Sequence, residues 1–437
     1  MTRAREHAIL SGAQEMGERS ILIVSLSPIG VRRRQVSIYF FFFVVACFFC
    51  LLTFFGLLSP THGSFLRRSA TADDTGHYST RFIMCALFQP QMRRLLTLMR
   101  GDPDLPDEAL GVLNPAAARA PDGTLYLFPR VVAAGNYSRI GIARVIFDDH
   151  GDPIAVERMG YALEPTESYE RNVRTAGCED PRITYVPAIG RYLMTYTAYG
   201  PLGPRIALAV SSDLLRWERV GPLLFAFDPR QRVDFNLYDN KDALIFPEPV
   251  RDPQGRMALA LIHRPAHVQG GMPVIPQGIA EPRASIWMSY CPLERVQADF
   301  AELLIWRDHH FLAGPQAAWE EVKIGGGAPP VRTPYGWMLI YHGVAGQIIE
   351  HADHQPFVRY SAGIMLLDHG DPRRVIYRSS TPILEPEIEE ERSGVVPNVV
   401  FPTAVDPRAD GTFDIYYGMA DAAIGVARLE LRRIDAA

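Results

Sequence analysis

The sequence predicts an all-β chain: a five-bladed β-propeller with a short N-terminal lead-in and an apolar segment long enough to be a transmembrane helix. Three observations carry this prediction. From Leu113 onward the chain is built of short runs rich in aromatic and β-branched residues, punctuated by Gly, Pro and Asp. These runs return as similar groups at intervals of roughly 65 to 80 residues, the mark of radial β-architectures, since one small sheet cannot bury both its faces. Only Met92–Met99 and Pro106–Val112 read as helical. A β-sandwich is the rival architecture, but its strands have no reason to recur as like groups.

In chain order, residues 1–35 are expected to form a disordered tail. VSIYFFFFVVACFFCLLTFFGLL, Val36 to Leu58, follows as a run of about twenty apolar residues without a charge, enough to span a bilayer. It begins too late and runs too long for an ordinary secretory signal. Arg32, Arg33 and Arg34 precede it and Arg67 and Arg68 follow, so loop charge orients it only weakly. The rival reading is a translation start near Met84 or Met92. Residues 59–110 read as a linker with the helical lead-in, and 111–437 as the catalytic propeller. Its first unit carries TLYLFPR (Thr124 to Arg130) and SRIGIARVIF; the second has RYLMTYTAYG (Arg191 to Gly200), RIALAVSSD and WERVG. The third has RMALALIHRP (Arg256 to Pro265) and SIWMSY, the fourth GWMLIYHGV (Gly336 to Val344) and SAGIMLLD, the last TFDIYYGMAD (Thr412 to Asp421) and IGVARLEL.

Composition excludes several function classes. A net charge of −5, from 44 basic against 49 acidic residues, offers no broad basic field, and no nucleic-acid partner is expected. The five cysteines, Cys47, Cys50, Cys85, Cys178 and Cys291, are odd in number and scattered, which fits reduced thiols rather than a disulfide framework. No metal site is expected, because His309-His310 and His351 to His354 lack ligand spacing.

The polar loops carry the chemistry. AGCEDPRITY places Glu179 and Asp180 directly before Pro181 and Arg182. Alone, an Asp before Pro is an ordinary turn former. DNKDALIFP supplies Asn240, Lys241 and Asp242, HRP supplies Arg264, and VKIGGGAPP sets Lys323 before three glycines; His342 and Tyr360 belong to the fourth unit. The glycine run lacks the GKS or GKT ending of a phosphate loop, and its glycines would instead let backbone approach a ligand. Glu387, Glu389, Glu390 and Glu391 read by default as a solvated face. A propeller gathers its loops around one axis, so Lys241, Arg264 and Lys323, taken as coming from three different blades, would converge on a small dianion. One well-framed carboxylate would stand opposite them.

GCEDPRI, YLMTYTAYG, IALAVSSDLLRWERVG, NKDA-x-x-FP, HRP, KIGGGAPP, GWMLIYHGV, YSAGIMLLD, VPNVVFP and YYGMAD occur in order, and together they closely resemble the β-mannoside phosphorylase family, glycoside hydrolase family 130. The likeness runs from about Asn114 to the C-terminal strand. It implies a five-bladed propeller with Asp180 as proton donor. It implies an anion site of Arg264, Lys323, His342 and Tyr360, joined by Asn240 and Lys241. Asn114, Arg130, Arg139, Arg182 and Asp421 would hold the sugar. Some members carry an acidic residue just after the position of Arg130; VVAAGNYSR departs from that pattern, leaving sugar selection there to a residue such as Asn136.

The implied reaction is inverting phosphorolysis of a β-mannoside to α-mannose 1-phosphate, with inorganic phosphate as co-substrate and no cofactor. An inverting hydrolase needs a second carboxylate as base, whereas phosphate is already an anionic nucleophile. A hydrolase on the same fold, with Glu390 or Glu391 as base, and a non-catalytic sugar-binding propeller stay open as alternatives. Phosphate chemistry favours a cytoplasmic catalytic domain; anchoring through 36–58 and a homo-oligomer are both compatible with the sequence.

Overall fold

A computed structural model describes residues 87–172, 176–266, 268–269, 272–273, 275–349 and 355–434. By contacts the chain divides into residues 1–80 and 81–437, and the first unit, with the apolar segment 36–58, lies outside the described residues. Among the described residues no helix is long and apolar enough to cross a membrane.

The second unit is built of antiparallel strands that follow one another in space as in sequence. Strands β2 (Gly111–Arg119), β3 (Leu125–Ala133), β4 (Tyr137–Phe147) and β5 (Pro153–Leu163) form one group. It is joined to β6 (Ala176–Val186), β7 (Arg191–Gly200), β8 (Gly203–Ser211) and β9 (Glu218–Pro222) by a two-residue parallel contact between β4 and β6. A further sheet holds β10 (Asp239–Ile245), β11 (Met257–Ala266), β12 (Ile286–Pro292) and β13 (Ile305–Ala313). The next holds β14 (Lys323–Gly326), β15 (Gly336–Gly346), β16 (Val358–Leu367) and β17 (Val375–Arg378). The last joins β18 (Val400–Pro407), β19 (Phe413–Met419), β20 (Ala423–Ile434) and the N-terminal strand β1 (Leu87–Arg100).

Apolar clusters tie each group to its neighbours and the last back to the first. Along β7, Tyr192, Met194 and Tyr196 pack towards Phe128 and Ile140, whereas Leu193 packs towards Leu261 and Trp306. Strand alternation thus feeds two interfaces from one strand. Leu125, Leu127 and Val145 meet Tyr416 and Val426 where the ring closes. The fold is β-propeller-like, and the two-layer sandwich is excluded by this closed order of sheets.

Three buried glutamates repeat one device. Glu170, Glu320 and Glu391 are each fully buried. Each accepts a tyrosine hydroxyl from the second strand of its sheet: Tyr196 at 2.6 Å, Tyr341 at 2.6 Å and Tyr417 at 2.9 Å. Each also accepts backbone N–H groups of its own turn. An arginine from the outermost strand supplies the countercharge: Arg219 at 2.8 Å, Arg378 at 2.7 Å and Arg94 at 2.8 Å. Arg94 lies on β1, so β1 serves the last sheet as β9 and β17 serve theirs.

The helical expectation for Met92–Met99 is therefore corrected: the segment lies within β1 and pairs with β20 from Leu87↔Ile434 to Arg100↔Ala423. Two register shifts, at Arg94/Leu96 and Thr97/Met99, break the two-residue alternation and leave apolar spacing that mimics a helix. Of Pro106–Val112 only Pro106–Glu108 turns helically, and β2 begins at Gly111. The glutamate cluster is also not a uniformly solvated face. Glu391 is sealed inside, and Glu390 pairs with Arg100 on the exterior at 2.9 Å, so neither is poised as a base.

Candidate active site

A cavity of about 330 Å³ opens where the innermost strands converge. Its walls carry Asn114, Arg130, Asp180, Lys241, Arg264, Lys323, His342, Tyr360 and Asp421 from the sequence-derived set. Asp242 of the DNKDALIFP loop lines it too, as do Asp239, Gln355 and Phe401, which the sequence did not single out.

The way the backbone delivers these side chains is shared. In β2, β6 and β10 the ladder slips by one residue, between Leu113 and Ala116, Glu179 and Arg182, and Lys241 and Leu244. The first residue of each bulge adopts a left-handed conformation: Asn114 at φ 44°, Asp180 at φ 46° and Asp242 at φ 56°. Asn and Asp tolerate that region better than other side-chain-bearing residues, and a bulge re-aims the side chain it displaces. Asp421, at φ 52°, reaches the same cavity from the turn between β19 and β20. EDPR is thus a bulge on an inner strand: Pro181 sits where the ladder needs no donor, and Asp180 faces the cavity.

At one end, Asp180 Oδ1 accepts from Asn114 Nδ2 at 2.9 Å and lies 3.4 Å from Arg130 Nη1. Beside it, buried Glu179 pairs with Arg130 at 3.0 Å and Lys241 at 3.3 Å. Burial alone would raise the Asp180 carboxyl, but Arg130, Lys241 and Arg182 with the Asn114 hydrogen bond hold it below its ordinary value. Asp421 goes the other way: burial raises it to about 6, opposed by Arg130 and reinforced by Asp180 and Glu179.

At the other end, Arg264 Nε donates to Asp242 Oδ2 at 2.5 Å, and His342 Nε2 lies 3.6 Å from the same oxygen. Lys323 Nζ stands 5.4 Å above the Tyr360 ring. Burial, with Arg264 and Lys241 adding to it against Asp242, brings the Lys323 ammonium down to about 7. Burial takes His342 down to about 3 and Tyr360 up to about 12, so both are neutral near pH 7. The three glycines are required by close packing within the protein: Gly325 against these side chains, Gly326 against Leu244 and Gly327 against backbone. A Cβ on Gly325 would stand 2.2 Å from Asp242 Oδ2 and 2.6 Å from His342 Cε1, and one on Gly327 would meet the Ile340 and Pro402 carbonyls at 2.8 Å.

Other expectations are revised. Lys241 and Arg264 do not come from separate blades: they are cross-strand partners of β10 and β11. Asn240 neighbours Lys241 but points the opposite way, into a buried hydrogen bond with His263 Nδ1 at 3.1 Å. Arg182 is fully buried as scaffold, donating to the Gly327 carbonyl and, at 2.8 Å, to the Asp180 carbonyl. Arg139 does not line the cavity, and pairs instead with Asp107 and Glu164, each at 3.1 Å. Asn136 likewise lies off the cavity, with its Oδ1 3.3 Å from Arg130 Nη2. Nor is the carboxylate isolated, since Asp239, Asp242 and Asp421 share the cavity with Asp180.

A family profile described as β-1,4-mannooligosaccharide phosphorylase matches residues 93–435. A 1,2-β-oligomannan phosphorylase of Thermoanaerobacter sp. (strain X514) is 32% identical over 333 residues, covering 75% of this chain and 92% of that protein. A β-1,2-mannobiose phosphorylase of the same strain is 33% identical over 261 residues, covering 59% of this chain and 68% of that one. Among solved structures, the β-1,2-mannobiose phosphorylase of Listeria innocua, in complex with β-1,2-mannobiose, superposes with a TM-score of 0.56 at 24% identity. That match covers 77% of this chain and 96% of the other, and it shows the fold. With the profile spanning the described fold almost from end to end, the chain belongs to glycoside hydrolase family 130.

Proposed function

We propose that this enzyme is an inverting phosphorylase that cleaves β-mannosides with inorganic phosphate. One observation carries the reading: a cavity of about 330 Å³ holds Asp180 together with Arg264, Lys323, His342 and Tyr360. Phosphate bound by these four, with Lys241 beside them, attacks the anomeric carbon. A C–O bond forms to phosphate as the glycosidic C–O bond breaks. The proton from Asp180 passes to the departing oxygen through a sugar hydroxyl, leaving α-mannose 1-phosphate and the acceptor alcohol. Asn114, Arg130 and Asp421 bind the mannosyl unit. The cations stabilise charge as it builds in the transition state, commonly the largest electrostatic contribution to catalysis.

Asp180 is held ionised by its neighbours, so it must gain its proton before transfer. A phosphate dianion on Lys241 and the adjoining cations offsets that positive field, and the acid loads in the ternary complex. The closed order of sheets and the thrice-repeated glutamate device support a five-bladed propeller completed by β1. We place catalysis in the cytoplasm, where phosphate and the sugar phosphate are retained. β-1,2-Mannosides are the first substrates to test, since the relatives matched over 333, 273 and 261 residues are all named for that linkage.

A hydrolytic reading draws on the additional carboxylates, but Asp242 is already paired with Arg264. The deciding experiment incubates β-1,2- and β-1,4-mannobiose with and without phosphate and follows mannose 1-phosphate. Phosphate-dependent ester is expected. Free mannose released at equal rates in both conditions would establish a hydrolase instead.

A further inference from the structure

The cavity's anion end contains an acceptor as well as donors. The Asp242 side chain is 3% exposed and lines the wall beside Arg264, Lys323, His342 and Tyr360. Its Oδ2 is engaged by Arg264 Nε, while Oδ1 receives no hydrogen bond from any described residue. The carboxylate cannot swing aside. Its backbone is fixed in the bulge at φ 56°, and Gly325 presses so close to Oδ2 and His342 that a single methyl would collide with both. Arg264 is thereby oriented through Nε, which leaves its terminal nitrogens for a ligand.

A fixed carboxylate repels an anion's oxygen unless a proton lies between them. We propose that Asp242 is a specificity-determining residue that accepts a hydrogen bond from the protonated oxygen of the incoming anion, so that the site admits monohydrogen phosphate or arsenate and rejects sulfate. Sulfate matches phosphate in size and charge but carries no proton at neutral pH. Sites built around a hydrogen bond from the ligand reject analogues that lack the donor far more strongly than shape alone allows. The contact also fixes which oxygens are free: the protonated one is tied to Asp242, and a bare one is presented to the sugar. The inference rests on the phosphorylase reading for its substrate, but the selectivity is measurable without turnover.

The full chain is titrated calorimetrically with sodium phosphate, arsenate and sulfate at pH 7.5 and constant ionic strength, alongside Asp242→Asn. Phosphate and arsenate are expected to bind alike and sulfate at least ~100-fold more weakly. In Asp242→Asn, whose amide keeps an oxygen for Arg264 and offers N–H to the ligand, that preference should shrink at least ~10-fold, with sulfate gaining affinity. Comparable binding of sulfate by the unaltered chain overturns the proposal, and this holds even where the variant fails to fold. So does a folded Asp242→Asn with unchanged preference, or a chain that binds neither anion. Phosphate selectivity without cleavage of any mannoside would instead count against the phosphorylase reading and leave the anion filter standing.

Discussion

Lys323 offers the sharpest measurement on the proposed phosphate cradle. Lys241 is countered by Glu179 at 3.3 Å and Arg264 by Asp242 at 2.5 Å. No ion pair engages Lys323 among the described residues, and its Nζ rests above the Tyr360 ring. Burial and the neighbouring cations bring its ammonium from 10.5 to about 7. The sign follows directly. Below pH 7 the side chain is charged and receives the dianion as it stands; above, it is neutral and must take up a proton on binding. Each pH unit above 7 therefore costs about tenfold, or about 1.4 kcal/mol, of phosphate affinity, reaching ~100-fold by pH 9. Lys323→Arg carries a charge throughout this range. The assay is kcat/KM for phosphate from pH 6 to 9 in the unaltered enzyme and in Lys323→Arg. Phosphate's own titration is common to both and cancels in their ratio. That ratio should be level below pH 7 and then fall by about one decade per unit. Superimposable profiles across the range would refute a neutral Lys323.

Three further outcomes follow from the same geometry. Asp180→Asn should lower kcat by at least ~10²-fold, the scale of a lost general acid, while the melting curve stays close to that of the parent; near-normal turnover would remove Asp180 from its role. Gly325→Ala drives a methyl into Asp242 and His342, so KM for phosphate should rise at least ~10-fold with KM for mannoside little changed, and equal effects on both would point to general collapse. Arg94→Ala leaves Glu391 buried with no arginine, at a cost of roughly 3–5 kcal/mol and a fall in Tm of roughly 4–7 °C by calorimetry. A shift of under ~2 °C would mean that β1 contributes little to the last sheet.

The fold was legible where strands are buried on both faces. RYLMTYTAYG and TFDIYYGMAD are near-continuous apolar runs because each feeds two interfaces, and that texture, repeated, announces stacked sheets. The edge strand β1 was not legible. Half-exposed, carrying Arg93 and Arg94, and slipped twice in register, it shows neither clean alternation nor β-branched enrichment. What makes it a strand is the open edge of β20, a tertiary demand absent from its own residues. Lys241 and Arg264 were assigned to different blades for a related reason. They lie 23 positions apart in sequence yet face one another across a single ladder.

The site was legible in proportion to how visibly a bulge is written. Asn114-Pro115 and Asp180-Pro181 mark theirs with a proline; Asp180 stands out in its own motif, and Asn114 enters through the family resemblance. Asp242 occupies the same bulge position but is followed by Ala243, so nothing local distinguished it from its neighbours. Parity explains the two misassignments beside the bulges. Asn240 and Lys241 are consecutive in a strand and must project to opposite sides, so only one of the two can enter the cavity. In a regular strand Arg182 would share the face of Asp180, but the extra residue between Glu179 and Arg182 reverses that relation and sends the guanidinium into the scaffold. Plain alternation separates Lys241 from Asn240, and one position added at the bulge separates Asp180 from Arg182. In this ring of sheets, the residues that face the ligand are set by where the ladder slips as much as by which residues are polar.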